Sequence, residues 1–513
     1  MKRRIIVTFT KFSTYWLGFF FAVCGLWVNR KFGEPSFEQV IFHLQFGAEG
    51  LRDADPALLD SFLKNCILYP IFAATFVYFL EYIVVGVKRY GYEQFFRLAK
   101  TAVLKGLIVV RDTLERITFW LFSKRVPVIM LFVGAAILLT KLSFWSYALQ
   151  ARHSGFADDM YVQPVLDPGP ENKRNLLLVY VESLESTYSH PKNFGRNLLE
   201  GLDAVTQDWI SFGRYTQLYG TGWTMAGIVS TQCGIPLRPY SWFDKSEEDG
   251  RLDGNELGEK RPNFLPGAVC LGDVLKAAGY VNVFYGGADE NFAGKGKFLR
   301  AHGYDVVLGR DGWVNRGEKD FGGWGLYDDR LLEQAKWMID DLQSKGKPFN
   351  MTVLTVDTHH PSGFLSPTCR GQGVGDFPGI VECSAKNVAQ LIKHVQERGY
   401  LENTDVVIMG DHLSMVNTHY EVLQRAGDRY IYNAFYSKGG LKKNREVIYH
   451  FDVFPTILTM LGFAVPDGKA ALGVSGLGAV PPNQGLHGGL SNQELNSRLG
   501  APSRIYTRLW EGK

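Results

Sequence analysis

Cysteine is scarce in this chain, six among 513 residues, and no two of the six stand in a C-x-x-C pair. That excludes the usual zinc-ribbon and dithiol patterns. Net charge is nearly absent as well. The 55 Lys and Arg residues balance 52 Asp and Glu to +3, so the chain lacks the clustered basic footprint of a nucleic-acid binder, and nucleic acid is not an expected partner. No A-x-A cleavage site follows the first apolar run, which argues against a removable signal peptide. Beyond residue 150 long apolar runs disappear. The length allows about two to four domains, with room for a large core that needs no disulfide staples.

What the first 150 residues contain is three apolar runs: Phe12 to Asn29, Asn65 to Leu80 continuing past Glu81 to Val87, and Val126 to Thr140, able to extend past Lys141. Each is near bilayer-spanning length, and Lys141 suits a snorkelling helix end. The segment 88–125 carries nine Lys/Arg against three Asp/Glu, whereas Arg30 to Phe62 carries three against six. The positive-inside rule puts the first of these in the cytoplasm. Three crossings then place the rest of the chain on the outer side of the membrane. Ala102 to Phe122 contains Lys105, Arg111, Asp112, Glu115 and Arg116 and reads as an interfacial amphipathic helix. The expected division is a membrane domain, 1–150, and an extracytoplasmic domain, 151–513. Cys24 and Cys66 fall in apolar runs. The other four suit two disulfides in an oxidising compartment. Of the three pairings, nearness in sequence favours Cys369 with Cys383, which leaves Cys233 with Cys270.

From Asn175 onward, the strand-like runs "NLLLVYVES", "YVNVFYGG", "FNMTVLTVDTHHP" and "DVVIMGDH" alternate with helical stretches such as Leu331 to Leu342 and Ala385 to Arg398. Continuous apolar strands between helices predict an α/β fold with a largely parallel sheet covered on both faces. Reactive side chains follow these strands: Glu182, then Asp357, His359 and His360, then Asp411 and His412. Ligands of open α/β sheets bind at that edge. Thr224 sits between a Gly-rich turn and a predicted helix, where free backbone N–H groups favour phosphate. It is either an ordinary N-cap or a nucleophile. Carboxylates, an imidazole and a threonine oxygen form a donor set suited to a divalent cation such as Zn²⁺ or Mn²⁺, with Mg²⁺ a third option.

"VYVESLE" (Val179 to Glu185), "GTGWTMAGIVSTQCGIPL" (Gly220 to Leu237), "CLGDVLKAAGY" (Cys270 to Tyr280), "FAGKGKFLRAHGYD" (Phe292 to Asp305), "WGLYDD" (Trp324 to Asp329), "LTVDTHHPSGF" (Leu354 to Phe364) and "GDHLSM" (Gly410 to Met415) together resemble the periplasmic glucan phosphoglycerol transferases. That family is related to lipoteichoic acid synthases in the alkaline phosphatase superfamily. "FHLQFGAEG" (Phe42 to Gly50) also resembles it. The resemblance implies an alkaline-phosphatase-like sheet and a metal held by Glu182, Thr224, Asp411 and His412, with Thr224 also the nucleophile. It implies His359 as the phosphate-contacting histidine, Phe292 as an apolar wall, and Asp289 or Asp328 on the glycerol hydroxyls. Where lipoteichoic acid synthases have Trp and Arg, this chain has Ala293 and Lys295, and Lys295 meets phosphate as a point charge. "CGIPLR" has the wrong spacing for the formylglycine motif C-x-P-x-R. The implied reaction moves phosphoglycerol from phosphatidylglycerol to a glucan through a phosphothreonine-type ester and releases diacylglycerol. Open alternatives are a phosphoethanolamine transferase, a phosphodiesterase and a non-catalytic membrane-anchored glycan-binding or assembly protein. "HFDVFPTILTMLGF" reads as a final helix, and Gly468 to Gly489 as a Gly/Pro-rich loop.

Overall fold

A computed structural model describes residues 2–33, 35–45, 56–90, 125–150, 155–239, 264–478 and 489–512. The chain forms two compact units, one of Met1–Pro35 with Pro56–Trp145, the other of Ser36–Asp55 with Ser146–Lys513. Instead of one cut at 150, the division returns the segment after the first helix to the second unit.

The N-terminal helices are α1 (Lys2–Phe32), α2 (Phe37–Gln45), α3 (Pro56–Phe62), α4 (Tyr69–Tyr90) and α5 (Val126–Lys141), and a π-helical stretch, Leu63–Leu68, joins α3 to α4. All but α2 belong to the first unit. Phe9–Phe32 and Leu58–Leu80 are long and apolar enough to cross a membrane. Helix α5 is a shorter apolar helix of 16 residues that ends at Lys141 rather than running past it. A Cβ on Gly134 would stand 2.1 Å from the Gly18 carbonyl oxygen, so α1 and α5 touch backbone to backbone, as small residues allow between apolar helices. Of the basic segment 88–125, residues 91–124, including the interfacial helix expected at 102–122, lie outside the described residues.

In the second unit, strands β1 (Asn175–Val181), β2 (Val281–Gly286), β3 (Val306–Leu308), β4 (Phe349–Leu354), β5 (Thr404–Gly410) and β6 (Asn433–Tyr436) form one sheet in the order β3-β2-β4-β1-β5-β6. All pairs are parallel except the β5–β6 edge. Every residue of β1, "NLLLVYV", is buried, the mark of a strand covered on both faces. Its side chains alternate between two cores. Leu176, Leu178 and Tyr180 pack with Ile228 and Phe451, while Leu177, Val179 and Val181 pack with Leu331 and Val388. The first core is covered by α6 (Thr224–Cys233) and α10 (His450–Met460), the second by α8 (Asp328–Lys345) and α9 (Phe377–Glu397). Between these pairs in sequence lies α7 (Lys295–Ala301), and α10 is not last, since Asn492–Leu499 (α11) and Arg504–Glu511 (α12) follow it. The Gly468 to Gly489 loop is described over 468–478 and at 489, and its residues 479–488 fall outside the described residues. Disulfides join Cys233 to Cys270 and Cys369 to Cys383, while Cys24 and Cys66 are free thiols.

Candidate active site

Parallel strands end on one edge, and the residues that follow β1 and β5 meet helix α6 there. Trp223, with extended backbone, is the residue that caps α6, and Thr224 is the first helical residue, its hydroxyl capping nothing. The ordinary N-cap reading of Thr224 therefore does not hold. Its Oγ1 lies 3.3 Å from Glu182 Oε2 and 3.5 Å from His412 Nε2. His412 Nε2 in turn is 3.3 Å from Glu182 Oε1 and 3.5 Å from Asp411 Oδ2. Helix and strand come this close because position 227 lacks a side chain. A Cβ on Gly227 would stand 2.1 Å from the Asp411 carbonyl oxygen.

Ser183, absent from the residues expected on sequence, locks the two carboxylates. Its N–H donates to Asp411 Oδ1 (2.8 Å) and its hydroxyl to Glu182 Oε1 (2.6 Å), at a φ of 55°. A left-handed serine is unfavourable unless its surroundings dictate it, and here both of its donors are claimed by the site. The His412 ring is set from behind by a 2.8 Å contact between Nδ1 and the Leu413 carbonyl, which turns Nε2 toward the carboxylates. His450 contacts the Asp411 carbonyl through Nε2 at 2.9 Å, and burial pushes its pKa down to about 3.

The electrostatics are those of a site short of positive charge. Burial acts to raise the Glu182 pKa, but the charges of His412 and His359 and the bonds from His412 and Ser183 outweigh it and hold the group well below the carboxylate range. Asp411 is pushed up to about 7, first by burial and then by the charge of Glu182. Burial would lower the His412 pKa, yet Asp411 and Glu182 carry it up to about 9. Two buried carboxylates thus draw a proton onto their neighbours. Asp411 Oδ2 is buried and makes no hydrogen bond among the described residues. Glu182, Asp411 and His412 offer ligand atoms all within 4.8 Å of one another, and with Thr224 Oγ1 beside them these residues fit one divalent cation.

The other expected residues divide. Lys295 opens α7 and is buried. Burial lowers its pKa, while the charges of Asp289, Glu182, Glu290 and Asp411 act to raise it, so its ammonium lies in the field of the same acids. His359 rests its ring on Trp324 at 4.6 Å, and Trp324 meets Phe292 edge-on at 5.1 Å. An indole therefore stands beside Phe292, supplied from the "WGLYDD" loop although position 293 is alanine. Asp289 Oδ1 turns back onto its own loop and accepts from Asn291 N (2.9 Å) and Nδ2 (3.2 Å).

Asp328 corrects its expected role. It is fully buried; Oδ1 accepts from Val356 N (2.7 Å) and Asp357 N (3.1 Å), and Oδ2 from the Ser384 hydroxyl (2.6 Å). Its oxygens hold the turn after β4, and the group is not presented to a ligand. Burial raises its pKa to about 6.

Residues 174–463, over half of the sequence, match the family model described as Sulfatase. The chain belongs to the sulfatase family. This sulfatase-family chain has no C-x-P-x-R motif, and Cys233, the cysteine of "CGIPLR", is bonded to Cys270. Among curated proteins it is 38% identical over 261 residues to phosphoglycerol transferase I of Xanthomonas axonopodis pv. citri, covering 49% of this chain and 36% of that one. It is 36% identical over 321 residues to phosphoglycerol transferase I of Escherichia coli, covering 60% of this chain and 39% of that one. The match thus spans less than half the length of these relatives. Solved structures similar to the chain include the lipoteichoic acid synthase LtaP from Listeria monocytogenes (16% identity, TM-score 0.45, 60% of this chain and 78% of that one). Another is the lipooligosaccharide phosphoethanolamine transferase A from Neisseria meningitidis, an integral membrane protein (14% identity, TM-score 0.44, 87% of this chain and 83% of that one).

Proposed function

We propose that the protein is a membrane-anchored transferase that moves phosphoglycerol from phosphatidylglycerol to a periplasmic glucan. The observation that carries this reading is the hydroxyl of Thr224 on the first residue of α6, 3.3 Å from Glu182 and 3.5 Å from His412. Identity above a third to proteins named phosphoglycerol transferase I supports the choice of head group. A Mn²⁺, Zn²⁺ or Mg²⁺ ion bound by Glu182, Asp411, His412 and Thr224 would lower the pKa of the threonine hydroxyl.

Thr224 Oγ1 attacks the phosphorus of the lipid phosphodiester. The bond to the diacylglycerol oxygen breaks, and that oxygen leaves with the proton given up by Thr224. Lys295 and His359 neutralise the phosphoryl oxygens, and a phosphoglycerol ester remains on Thr224. A sugar hydroxyl then attacks the same phosphorus, its proton returns to Thr224, and the nucleophile is restored. The backbone N–H groups at the start of α6 favour the anion throughout. Topology follows the charge bias: the helical region crosses the inner membrane three times, and the catalytic unit lies outside, where a lipid head group and a glycan both reach it.

Incubating the full-length protein with phosphatidylglycerol labelled in its acyl chains tests the reading. Diacylglycerol release and a phosphoglycerol adduct on the Thr224 peptide are the expected results. Consumption of phosphatidylethanolamine in place of phosphatidylglycerol would remove the head-group assignment while leaving the covalent chemistry standing.

A further inference from the structure

Helix α2 lies far before the sheet in sequence, yet it belongs to the catalytic unit. Two buried contacts pin it there. Glu38 takes the Arg238 Nε–H on both oxygens, at 3.0 and 3.1 Å, and the same guanidinium donates to the carbonyls of Leu499 (3.3 Å) and Gly500 (3.1 Å). Both partners of the ion pair are 5% exposed. One turn later Phe42, 1% exposed, packs on Trp223 with ring centroids 5.1 Å apart. Glu38 and Phe42 are four residues apart and so share a helix face.

His43 follows directly. Its ring lies 4.7 Å from that of Trp223 and 6.0 Å from that of Phe292. It therefore bridges the residue that caps the nucleophile helix and the wall that continues through Trp324 to His359. The side chain keeps an exposed surface, although enough protein surrounds the ring to push its pKa down to about 4. A neutral imidazole offers one N–H donor and one acceptor nitrogen. The two hydroxyls of a glycerol unit each donate and accept, so an imidazole suits them where a carboxylate offers only acceptors. Of the two carboxylates expected there on sequence, Asp328 is occupied in the β4 turn and Asp289 Oδ1 in its own loop.

We propose that His43, held by the Glu38–Arg238 pair, is a head-group-positioning residue that hydrogen-bonds the glycerol hydroxyls of the phosphoglycerol group carried on Thr224. The inference rests on the phosphoglycerol reading above. It adds that the site is completed by a residue from the segment following the first apolar helix, and that donor selectivity is set there.

The test uses the full-length protein in phosphatidylglycerol vesicles and, in parallel, a methyl aryl phosphodiester that has no glycerol. Two variants are compared, His43→Ala and His43→Phe, the second retaining the aromatic packing. The ratio of kcat/KM for phosphatidylglycerol to that for the aryl ester is expected to fall about tenfold in both variants, the worth of one hydrogen bond to substrate. The fall should reside in the lipid KM, with the unfolding temperature of His43→Phe matching the wild type and His43→Gln recovering part of the ratio. A His43→Phe protein whose ratio stays within about twofold of wild type overturns the proposal, because packing alone would then explain the residue. Wild-type protein that hydrolyses the aryl ester but not phosphatidylglycerol overturns the phosphoglycerol reading first, and this inference with it.

Discussion

Among the described residues, two triads of metal-ligating residue types lie in the second unit, Glu182–Asp411–His412 and Cys270–Asp273–His302, and by composition and spacing each could pass for a cation site. Their surroundings separate them. In the second triad Cys270 has spent its sulfur on Cys233, and Asp273 Oδ2 accepts from both the Cys270 N–H (2.9 Å) and His302 Nδ1 (2.7 Å). The remaining nitrogen of His302 meets the Phe264 carbonyl at 2.9 Å. Its imidazole therefore has both nitrogens engaged, and the group is a closed cap for the helix Leu271–Ala277. The first triad is open. Asp411 Oδ2 has no hydrogen bond among the described residues, and its neighbours compete for a proton. Like residue types become reactive when the fold leaves them unsatisfied.

The largest effect that would break this comparison is at Thr224, the proposed nucleophile. Thr224→Ala should cost about three orders of magnitude or more in transfer, measured as diacylglycerol release, and a variant retaining full turnover would end the covalent mechanism. Next in size, Glu182→Gln should weaken metal retention by about a hundredfold, since it removes a charged ligand. Metal analysis after dialysis reads this directly, and the same assay on His302→Ala should show wild-type content. That second variant should instead lose about 1–3 kcal/mol of stability, because it leaves the half-buried Asp273 cap and the Phe264 carbonyl without their partner. Metal loss in His302→Ala would erase the distinction between the two triads.

The smallest effect is expected at Asp328. Its native pKa is raised to about 6 from about 3.9 in an unfolded chain. The native state therefore binds more protons than the unfolded state over that interval. Stability is highest below the lower value and falls as pH rises towards the upper one. Asp328→Asn should flatten this slope in thermal unfolding between pH 4 and 6 while changing turnover less than about twofold. A large rise in lipid KM would instead return Asp328 to the binding site.

The α/β class and four of the six strands were legible because β1, β2, β4 and β5 are long and continuously apolar. Strands β3 and β6 have only three and four residues, too few to show a period against their surroundings. The Glu182, Thr224, Asp411 and His412 set could be located because motif order carries strand-end position. Asp328 misled because a carboxylate that binds backbone N–H groups in a turn has the same local sequence as one that faces solvent. Ser183, Trp324 and His43 were not singled out on sequence for a different reason. Their roles depend on what stands opposite them in space, as with His43 and Phe292, 249 positions apart by their numbers.

Gly227 has a consequence for how such a chain diversifies. Under the proposed reaction, changes in the wall formed by Phe292, Trp324 and His43 would alter the cargo while the chemistry survives. Position 227 has no such latitude, because a single methyl group there must displace either α6 or the end of β5. The spacing between the Thr224 oxygen and its acidic partners is thus stored in an absent atom, and descendants with new substrates should keep that vacancy long after their other contacts have changed.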